Sequence, residues 1–473
     1  MINNILIFIT CCLITLFYKR KNYSLVAILS GIYLLMMPNF KIGESAFNSV
    51  YFLTLCLFIL IGYDLLKGRI KLQFSILAYL FTMLAVVVIY LLGWFINGNV
   101  QLTAGIVSLA GELNYIFAVT LLAIIFSIMG QEGARKALIK ILSIFLIVNL
   151  VFVIGQRFFY DTAYYITYNF YASSGRTAPL DTIGKLGFFL RFNGTFYSPV
   201  LLGATCLLLI STLISLYIKD DKKENKMLIG IFVAAVIGVL SLTKTLMIGV
   251  LLYMGFALVY TIIKSDKKKK DIISLAVILL VVIFAYSVTY FIVPAKGKST
   301  ARYYYSMILK PINSLSSRYA GVGDLLAGQD DKNEGIDKNE GIIESDEETS
   351  GITYSAMKVF KDNWLFGVGL TPLEDEFVGD GQITTVLHNG GVLSALLYLI
   401  IFGWIFFAAF INKDLLTSSI VFAILITCIS SNALTYPFTV PFVAYSIFKS
   451  SENMKVPSFM TKCTSKHKQA EES

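Results

Sequence analysis

Charged side chains are scarce in this sequence. They make up 15% of the 473 residues, whereas hydrophobic residues make up 56% and the mean hydropathy is +0.73. A water-soluble surface requires a much larger share of polar and charged side chains. The composition therefore excludes a soluble globular protein and predicts an all-α polytopic membrane protein.

Cysteine is also rare, and its positions argue against two common uses of this residue. The six cysteines lie mostly inside apolar runs and form no closely spaced CxxC pair: Cys11, Cys12, Cys56, Cys206, Cys428 and Cys463. This spacing favours neither a disulfide framework nor a zinc site. We interpret the cysteines as small apolar side chains, and we expect no metal and no other cofactor.

Apolar runs, separated by short charged segments, fill most of the chain. Each run is about long enough, at roughly 20 residues, to cross a bilayer as a helix. The first run and the last two are short, so we expect about 11 to 13 transmembrane helices. The predicted organisation is a helix bundle at 1–293 with an outer loop at 161–195, a large extracytoplasmic loop at 294–390, further transmembrane helices at 391–448 and a basic tail at 449–473.

Basic residues alternate between successive loops. One set of loops carries clusters such as Lys19 to Lys21 and Lys267 to Lys270, whereas the loops between them carry few basic residues. The positive-inside rule assigns the basic set to the cytoplasm. We therefore expect the N-terminus outside, a cytoplasmic C-terminal tail, and the loops at 161–195 and 294–390 on the outer face.

The two long outer loops carry basic residues that topology does not explain, because long outer segments cross the membrane regardless of their charge. One interpretation is a solvated surface. The other is a site for a phosphate or pyrophosphate headgroup, which arginine can bind through two parallel hydrogen bonds. The residues concerned are Arg176, Lys185, Arg191, Lys296, Lys298, Arg302, Lys310 and Arg318.

Arg191 is the strongest single candidate for such a site. It lies among apolar residues in the segment Leu186–Pro199, shortly before a predicted helix, where an unpaired charge would be costly. Lys244 lies in a tight turn predicted between two helices. It either extends its side chain to the membrane interface or supplies a second phosphate contact near Arg191.

The large outer loop is divided into parts of different composition. Residues 294–318 are basic and aromatic and include Arg302 and Tyr304, which suits a membrane interface or a surface that stacks on sugar rings. Residues 319–349 are acidic and carry the tandem repeat DKNEGIDKNEGI, which predicts a mobile insertion without EF-hand spacing. Residues 352–364 have apolar positions at helical spacing and predict an amphipathic helix on the outer membrane surface.

Two segments resemble the superfamily of O-antigen polymerases and O-antigen ligases. One is KDNWLFGVGL at 361–370, followed by DGQITTVLHNGG at 380–391. The other is RFNGTFYSP at 191–199, which is similar to that family's R-x-x-G-x-F-x-x-P element. The order of helices and outer loops extends the resemblance over most of the chain.

One position separates the two activities of that superfamily. Ligases typically have a His, usually followed by Asn, eleven residues before the Gly that opens the next helix. Here Asp380 occupies that position relative to Gly391, whereas His388 and Asn389 lie closer to the glycine. The resemblance therefore favours a polymerase of polysaccharide repeat units, with a ligase-type glycan transferase as the alternative.

The resemblance implies glycosyl transfer between two undecaprenyl-diphosphate-linked glycans at the outer face of the bacterial cytoplasmic membrane. Cations would hold the diphosphate leaving group, and no metal is implied. Two departures from the family pattern are Ile352, where an Arg is usual, and Lys244, where the tight turn usually has Arg; Arg318 would supply the missing cation. The implied catalytic residues are Arg191, Arg318 and Asp380, and the implied substrate-binding residues are Lys244, Arg176, Arg302 and Tyr304.

The implied partners are the lipid-linked oligosaccharides, the lipid bilayer, and a chain-length regulator and a flippase of the same pathway, but no nucleic acid. A flippase or another secondary transporter is a further alternative. A transporter would lack a long outer loop and would show charges buried in the middle of helices or a repeated half. A membrane scaffold without activity is the third alternative, and the clustered outer cations argue against it only mildly.

Overall fold

The structure is a computed structural model that describes most of the predicted helices. The described residues are 2–36, 38–42, 45–98, 102–159, 162–163, 166–167, 170–171, 192–196, 198–219, 224–292, 360–370 and 381–453. The predicted acidic insertion at 319–349 and residues 352–359 of the predicted amphipathic helix lie outside these ranges.

These residues form twelve α-helices and one antiparallel hairpin. The hairpin pairs β1 (Asn39–Ile42) with β2 (Ser45–Asn48). Two short 3-10 turns, Ala433–Thr435 and Pro437–Thr439, separate the last two helices. The helices are α1 (Ile2–Lys19), α2 (Tyr23–Met36), α3 (Val50–Leu66), α4 (Phe74–Ile96), α5 (Leu102–Phe158), α6 (Pro199–Lys219), α7 (Asn225–Leu240), α8 (Lys244–Lys264), α9 (Lys268–Ile292), α10 (Gln382–Ile411), α11 (Leu415–Ser430) and α12 (Val440–Asn453).

Six of the described helices are long and apolar enough to cross a membrane, namely α4, α5, α6, α8, α9 and α10. The shorter helices α1, α2, α3, α7 and α11 are also apolar. Large apolar side chains point out of the bundle, for example Phe8, Phe81 and Phe284, which are 70%, 65% and 61% exposed. An apolar outer surface of this kind suits lipid better than water. The structure therefore supports the predicted class, a helical membrane protein.

Helix α6 lies at the centre of the bundle. Every residue of its most apolar window is buried, and α7, α8 and α11 pack against it. Its hydroxyl side chains bond to carbonyl groups of the same helix, as Thr205 does to Leu201 (2.7 Å), so they add no unsatisfied polar group to the core. A Cβ atom at Gly203 would collide with the Thr243 hydroxyl, so glycine permits the connection between α7 and α8 to lie against α6.

Helix α5 is two helices joined at Gly130, whose φ of 69° lies in the left-handed region. Tyr115 and Phe145 lie fifteen residues on either side of this break. Phe145 packs on Phe196, which packs on Phe438, and the Tyr115 hydroxyl lies 2.8 Å from that of Thr439. Both halves therefore reach the same region, so the chain folds back at Gly130, which lies between two apolar runs of the sequence, at 103–129 and 137–160.

Polar contacts join the connections at one end of the bundle, which we name the lysine-rich end. Tyr18 donates to Asp64 (2.9 Å), and Lys219 forms an ion pair with Asp414 (3.3 Å). Asp414 also caps α11, because its side chain accepts from the backbone nitrogen of Thr417. The lysine-rich end comprises the connections at 20–22, 67–73, 265–267 and 412–414.

A second set of contacts defines the opposite end, which we name the polar-loop end. Asn3 at the start of α1 donates to the Phe170 carbonyl (3.4 Å), and Asn97 after α4 donates to the Gly367 carbonyl (3.0 Å). The lysine-rich end contains the connections that the sequence predicts to be cytoplasmic. The polar-loop end comprises residues 38–42, 45–49, 97–98, 192–196, 198, 241–243, 360–370 and 431–439.

Candidate functional site

The polar-loop end contains the segments closest in sequence to the predicted site. Of the seven predicted residues, Lys244 falls within the described ranges. The other roles stay predictions, although Phe192 and Gly381, which follow Arg191 and Asp380 in the chain, are described. The predicted residues outside the described ranges are Arg176, Arg191, Arg302, Tyr304, Arg318 and Asp380.

Residues 192–196 form a buried non-helical segment, which we name the amide-locked turn. The side-chain amide of Gln156, on α5, contacts this turn through both its oxygen and its nitrogen. Its Oε1 accepts from the backbone nitrogens of Asn193 (3.3 Å) and Gly194 (3.0 Å), and its Nε2 donates to Asn193 Oδ1 (2.7 Å) and the Gly194 carbonyl (2.9 Å). Buried backbone outside a helix needs such partners, because water cannot replace them.

Asn149 holds the second half of the amide-locked turn. It lies seven residues before Gln156 and therefore on the same face of α5. Its Oδ1 accepts from the backbone nitrogen (3.0 Å) and the hydroxyl (3.2 Å) of Thr195. Gly194 has a φ of 57°, and a Cβ atom there would collide with Asn149 Oδ1. The glycine of the R-x-x-G-x-F segment is therefore required by the shape of the turn.

The amide-locked turn is hydrogen-bonded to the turn that precedes Lys244. The backbone nitrogen of Phe192 donates to the carbonyl of Leu240, the last residue of α7 (3.1 Å). Leu242 has a φ of 49°, which gives the tight turn predicted here, and Lys244 is the first residue of α8 and is partly buried. The segment that follows Arg191 and the turn that carries Lys244 are therefore neighbours.

Arg157 is a cation at the polar-loop end that the sequence analysis missed. It follows Gln156, is partly buried, and donates from Nε to the carbonyl of Ile292, the last residue of α9 (3.2 Å). Carbonyls at a helix C-terminus lack intrahelical partners and attract cations. Arg157 therefore caps α9 where the chain enters the predicted large outer loop. The signal that could have revealed it is a single arginine near the end of an apolar run.

Helix α10 differs from its prediction. The sequence predicts a helix that begins at Gly391, but α10 begins at Gln382, and Gly391 is a break inside it with a φ of 59° and a ψ of −160°. The helix continues through the break because a neighbouring segment supplies the missing backbone partners. Residues 382–390 therefore form a short half-helix before the longer half at 392–411.

Residues 364–370, which we name the glycine plug, fill the break in α10. Val368 and Gly369 donate their backbone N–H groups to the carbonyls of His388 (2.8 Å) and Asn389 (3.0 Å). The backbone nitrogen of Val392 donates to the carbonyl of Trp364 (2.8 Å). The plug therefore satisfies carbonyl groups before the break and an N–H group after it.

The two glycines of the plug are required by close backbone approach. Gly367 has a φ of 64°, and a Cβ atom there would collide with the His388 carbonyl. Gly369 has a φ of 97°, and a Cβ atom there would collide with the Trp94 backbone. The F-G-V-G-L part of the segment that resembles the superfamily thus has a structural role, which is to complete α10.

His388 lies inside α10 and not at its entrance. Its side chain is 1% exposed, and its Nδ1 lies 2.9 Å from the Oδ1 of Asn389. His388 therefore lies buried in the bundle, three residues before the break at Gly391.

The start of α10 is held against the segment between α11 and α12. The Gln382 backbone nitrogen donates to the Ser431 carbonyl (3.2 Å), and its side-chain Oε1 accepts from the Leu434 nitrogen (3.0 Å). Thr385 donates to Asn432 Oδ1 (2.8 Å). These contacts fix the helix that follows Asp380 at the polar-loop end.

The polar-loop end therefore combines two partly buried cations, Lys244 and Arg157, with the amide-locked turn and a buried histidine. This arrangement can attract an anionic ligand, because lysine and arginine form charge-assisted hydrogen bonds with anions. Within the described ranges, no group of three or more His, Cys, Asp or Glu side chains is placed to hold a metal ion.

The comparisons with known proteins do not identify a family. A scan of protein-family models, a search of curated proteins and a search of solved structures each find no match to this chain. The resemblance to the O-antigen polymerase and ligase superfamily therefore depends on the segments at 191–199 and 361–391 and on the order of the helices.

Proposed function

We propose that this chain is a polysaccharide polymerase, a membrane glycosyltransferase that joins undecaprenyl-diphosphate-linked oligosaccharide repeat units. The product would be a capsule, an O-antigen or a related surface polysaccharide. In this proposal the polar-loop end faces outward from the bacterial cytoplasmic membrane, because lysine-rich connections stay on the cytoplasmic side. The observation that carries the proposal is the hydrogen bond from Phe192 to Leu240, which joins the segment after Arg191 to the turn before Lys244.

The position of Lys244 supports binding of a diphosphate. The first backbone N–H groups of a helix lack intrahelical partners, and the helix dipole is positive at this end. Lys244 is the first residue of α8, so its charge adds to that positive potential instead of offsetting it. An anionic group is stabilised at such a position. Arg191 would bind the same diphosphate through its planar guanidinium group.

In the proposed reaction, a sugar hydroxyl of the new repeat unit attacks the anomeric carbon of the growing chain. A carbon–oxygen bond forms, and the bond from that carbon to the diphosphate oxygen breaks. Undecaprenyl diphosphate leaves with the electron pair, and cations stabilise its developing charge. The hydroxyl proton passes to a base, for which Asp380 is the candidate. The other residues that the resemblance implies are Arg318 for the leaving group and Arg176, Arg302 and Tyr304 for the substrate.

The test is polymerisation by the purified protein in lipid vesicles supplied with a lipid-diphosphate repeat unit. Wild-type protein should produce a ladder of longer glycans. Arg191→Ala and Lys244→Ala should each lower the rate on the order of a hundredfold, since each removes a group that stabilises the leaving group. The matched control is Lys226→Ala, which removes an exposed lysine from the first turn of α7 and should leave the ladder unchanged.

The same experiment separates the alternatives. A single transfer to a different acceptor, without a ladder, would favour a ligase-type glycan transferase; the paired His388 and Asn389 are the observation that favours this alternative. Transport of the lipid-linked unit without a new glycosidic bond would favour a flippase, for which the break in α10 is the supporting observation, because many transporters contain broken helices. Absence of both transfer and a ladder would reject the proposal.

A further inference from the structure

Six exposed basic side chains lie in two connections at the lysine-rich end. One connection joins α1 to α2, and the other joins α3 to α4. The positive-inside rule accounts for the charge of each connection, but it does not require the two connections to lie together. We name residues 19–22 and 67–71 the basic loop pair, and its basic side chains are Lys19, Arg20, Lys21, Lys67, Arg69 and Lys71.

A single carboxylate joins the two connections. Asp64, near the end of α3, accepts through Oδ2 from the hydroxyl of Tyr18 in the last turn of α1 (2.9 Å). Its Oδ1 accepts from Nη1 of Arg69 (3.0 Å). The Tyr18 ring also packs edge to face on the ring of Tyr23, the first residue of α2, with 5.4 Å between the centroids. These contacts hold the ends of α1 and α3 and the start of α2 together, so the basic loop pair forms one surface.

The basic loop pair carries more positive charge than Asp64 offsets. Arg69 forms an ion pair with Asp64. In the part of the chain that the structure describes, no acidic side chain lies within ion-pair distance of the other five basic side chains. Like charges on one exposed surface repel one another, and an anion that binds among them relieves this repulsion.

Lys21 has a backbone conformation that suits glycine better than lysine. Helix α1 ends in a Schellman turn, in which the backbone nitrogen of Asn22 donates to the carbonyl of Phe17 (2.9 Å). Lys21 donates to the carbonyl of Tyr18 (2.9 Å) and has a φ of 58°. The same turn after α3 has Gly68 at this position, with a φ of 66°. A side chain is strained here and glycine is not, so the turn itself does not require the lysine, and strain of this kind indicates a function for the side chain.

An exposed aromatic ring positions two of the cations beside apolar surface. The Nζ of Lys67 lies 4.4 Å from the ring centroid of Tyr63, and the guanidinium carbon of Arg69 lies 5.7 Å from the same centroid. Cation–π attraction therefore holds both charges beside one ring. Tyr63 is 52% exposed, and two apolar neighbours in the chain, Leu66 and Phe74, are 92% and 70% exposed. Cations next to exposed apolar side chains match the boundary between lipid headgroups and acyl chains.

The side chains of the basic loop pair select an anionic lipid. Lysine and arginine form charge-assisted hydrogen bonds with phosphate oxygens, and basic clusters at a membrane surface attract anionic lipids. A water-soluble phosphate would leave Leu66 and Phe74 exposed, whereas acyl chains would cover them. We propose that the basic loop pair binds the phosphate of an anionic phospholipid, with the acyl chains along Leu66 and Phe74, a contact separate from the reaction proposed above.

Native mass spectrometry of the purified full chain, released from a neutral detergent, measures the Kd of individual bound lipids. Phosphatidylglycerol is the anionic probe, and phosphatidylcholine with the same acyl chains is the zwitterionic probe. Lys21→Gly should weaken binding of phosphatidylglycerol about fivefold, the contribution of one lysine at an anionic lipid surface, and should leave binding of phosphatidylcholine unchanged. Because glycine suits this backbone conformation, the variant should fold as the wild-type protein does.

Lys413→Gly is the matched control. Lys413 ends α10 in the same left-handed conformation, with a φ of 55°, but its amine forms an ion pair with Asp266 (2.7 Å) and it lies on a different connection. This variant should bind phosphatidylglycerol with the wild-type Kd. A loss as large as that of Lys21→Gly would reject the basic loop pair as the site.

Three other outcomes would overturn the proposal. An equal Kd for phosphatidylglycerol in the wild-type protein and in Lys21→Gly would show that Lys21 does not contact the lipid. An equal Kd for phosphatidylglycerol and phosphatidylcholine would show that the surface does not distinguish headgroup charge. Displacement of phosphatidylglycerol by glycerophosphoglycerol, the same headgroup without acyl chains, at a similar Kd would indicate a site for a free phosphodiester and not for a lipid.

Discussion

Replacement of Gln156 by leucine should release the amide-locked turn from α5. The Gln156 side chain makes five hydrogen bonds, and the backbone nitrogens of Asn193 and Gly194 lose their acceptor when it is removed. A buried N–H group left without a partner costs about 1–3 kcal/mol. The turn can relax toward the surface, so we expect the free energy of opening the turn to fall by about 3 kcal/mol in total.

Hydrogen exchange measures this opening directly. A loss of about 3 kcal/mol corresponds to roughly a hundredfold faster exchange of the Asn193 and Gly194 amides, if exchange follows local opening. The control Gln131→Leu removes an exposed glutamine from the same helix and should leave both amides unchanged. If Gln156→Leu exchanges at the wild-type rate, the side-chain amide does not hold the turn. The proposed function adds that this variant should lose the glycan ladder while α5 remains protected.

Two further pairs of substitutions test the glycine plug and the lysine-rich end by thermal unfolding. Gly367→Ala should destabilise the protein by about 2–4 kcal/mol, because it adds a strained φ and a clash with the His388 carbonyl. The control Gly255→Ala, in open space on α8, should be neutral or slightly stabilising, and equal melting temperatures for both variants would contradict the structural role of the glycine plug. Asp414→Asn should lower the free energy of unfolding by up to about 1 kcal/mol through loss of the ion pair with Lys219, and Asp414→Ala should lower it by about 1 kcal/mol more through loss of the helix cap. Equal losses of stability in the two variants would show that the cap contributes nothing.

The apolar helices could be predicted from the sequence because their signal is local. Helix α4 is the clearest case: the apolar run predicts Phe74–Ile96, and the structure has the same bounds between Gln73 and Asn97. The length of an uninterrupted apolar run and the polar residues that end it are sufficient for such a helix. The fold class follows from the same observation.

The start of α10 could not be predicted, because its first half depends on distant partners. Thr385 is bonded to Asn432, which lies 47 residues later, and the His388 carbonyl is bonded to the glycine plug. Without knowledge of those partners, the polar segment at 382–390 is predicted to be a loop. The β hairpin at 39–48 was missed for a different reason, since its two strands have four residues each and show no clear alternation of apolar and polar side chains.

Of the two described cations of the candidate site, the sequence analysis named Lys244 but missed Arg157, and it also missed the side chains that hold the amide-locked turn. The polar side chains of Asn149 and Gln156 interrupt an apolar run, and polar residues within a membrane helix usually face the protein interior. That signal was available in the sequence. It did not reveal that both amides bind residues 192–196, because this pairing depends on how α5 faces the incoming chain.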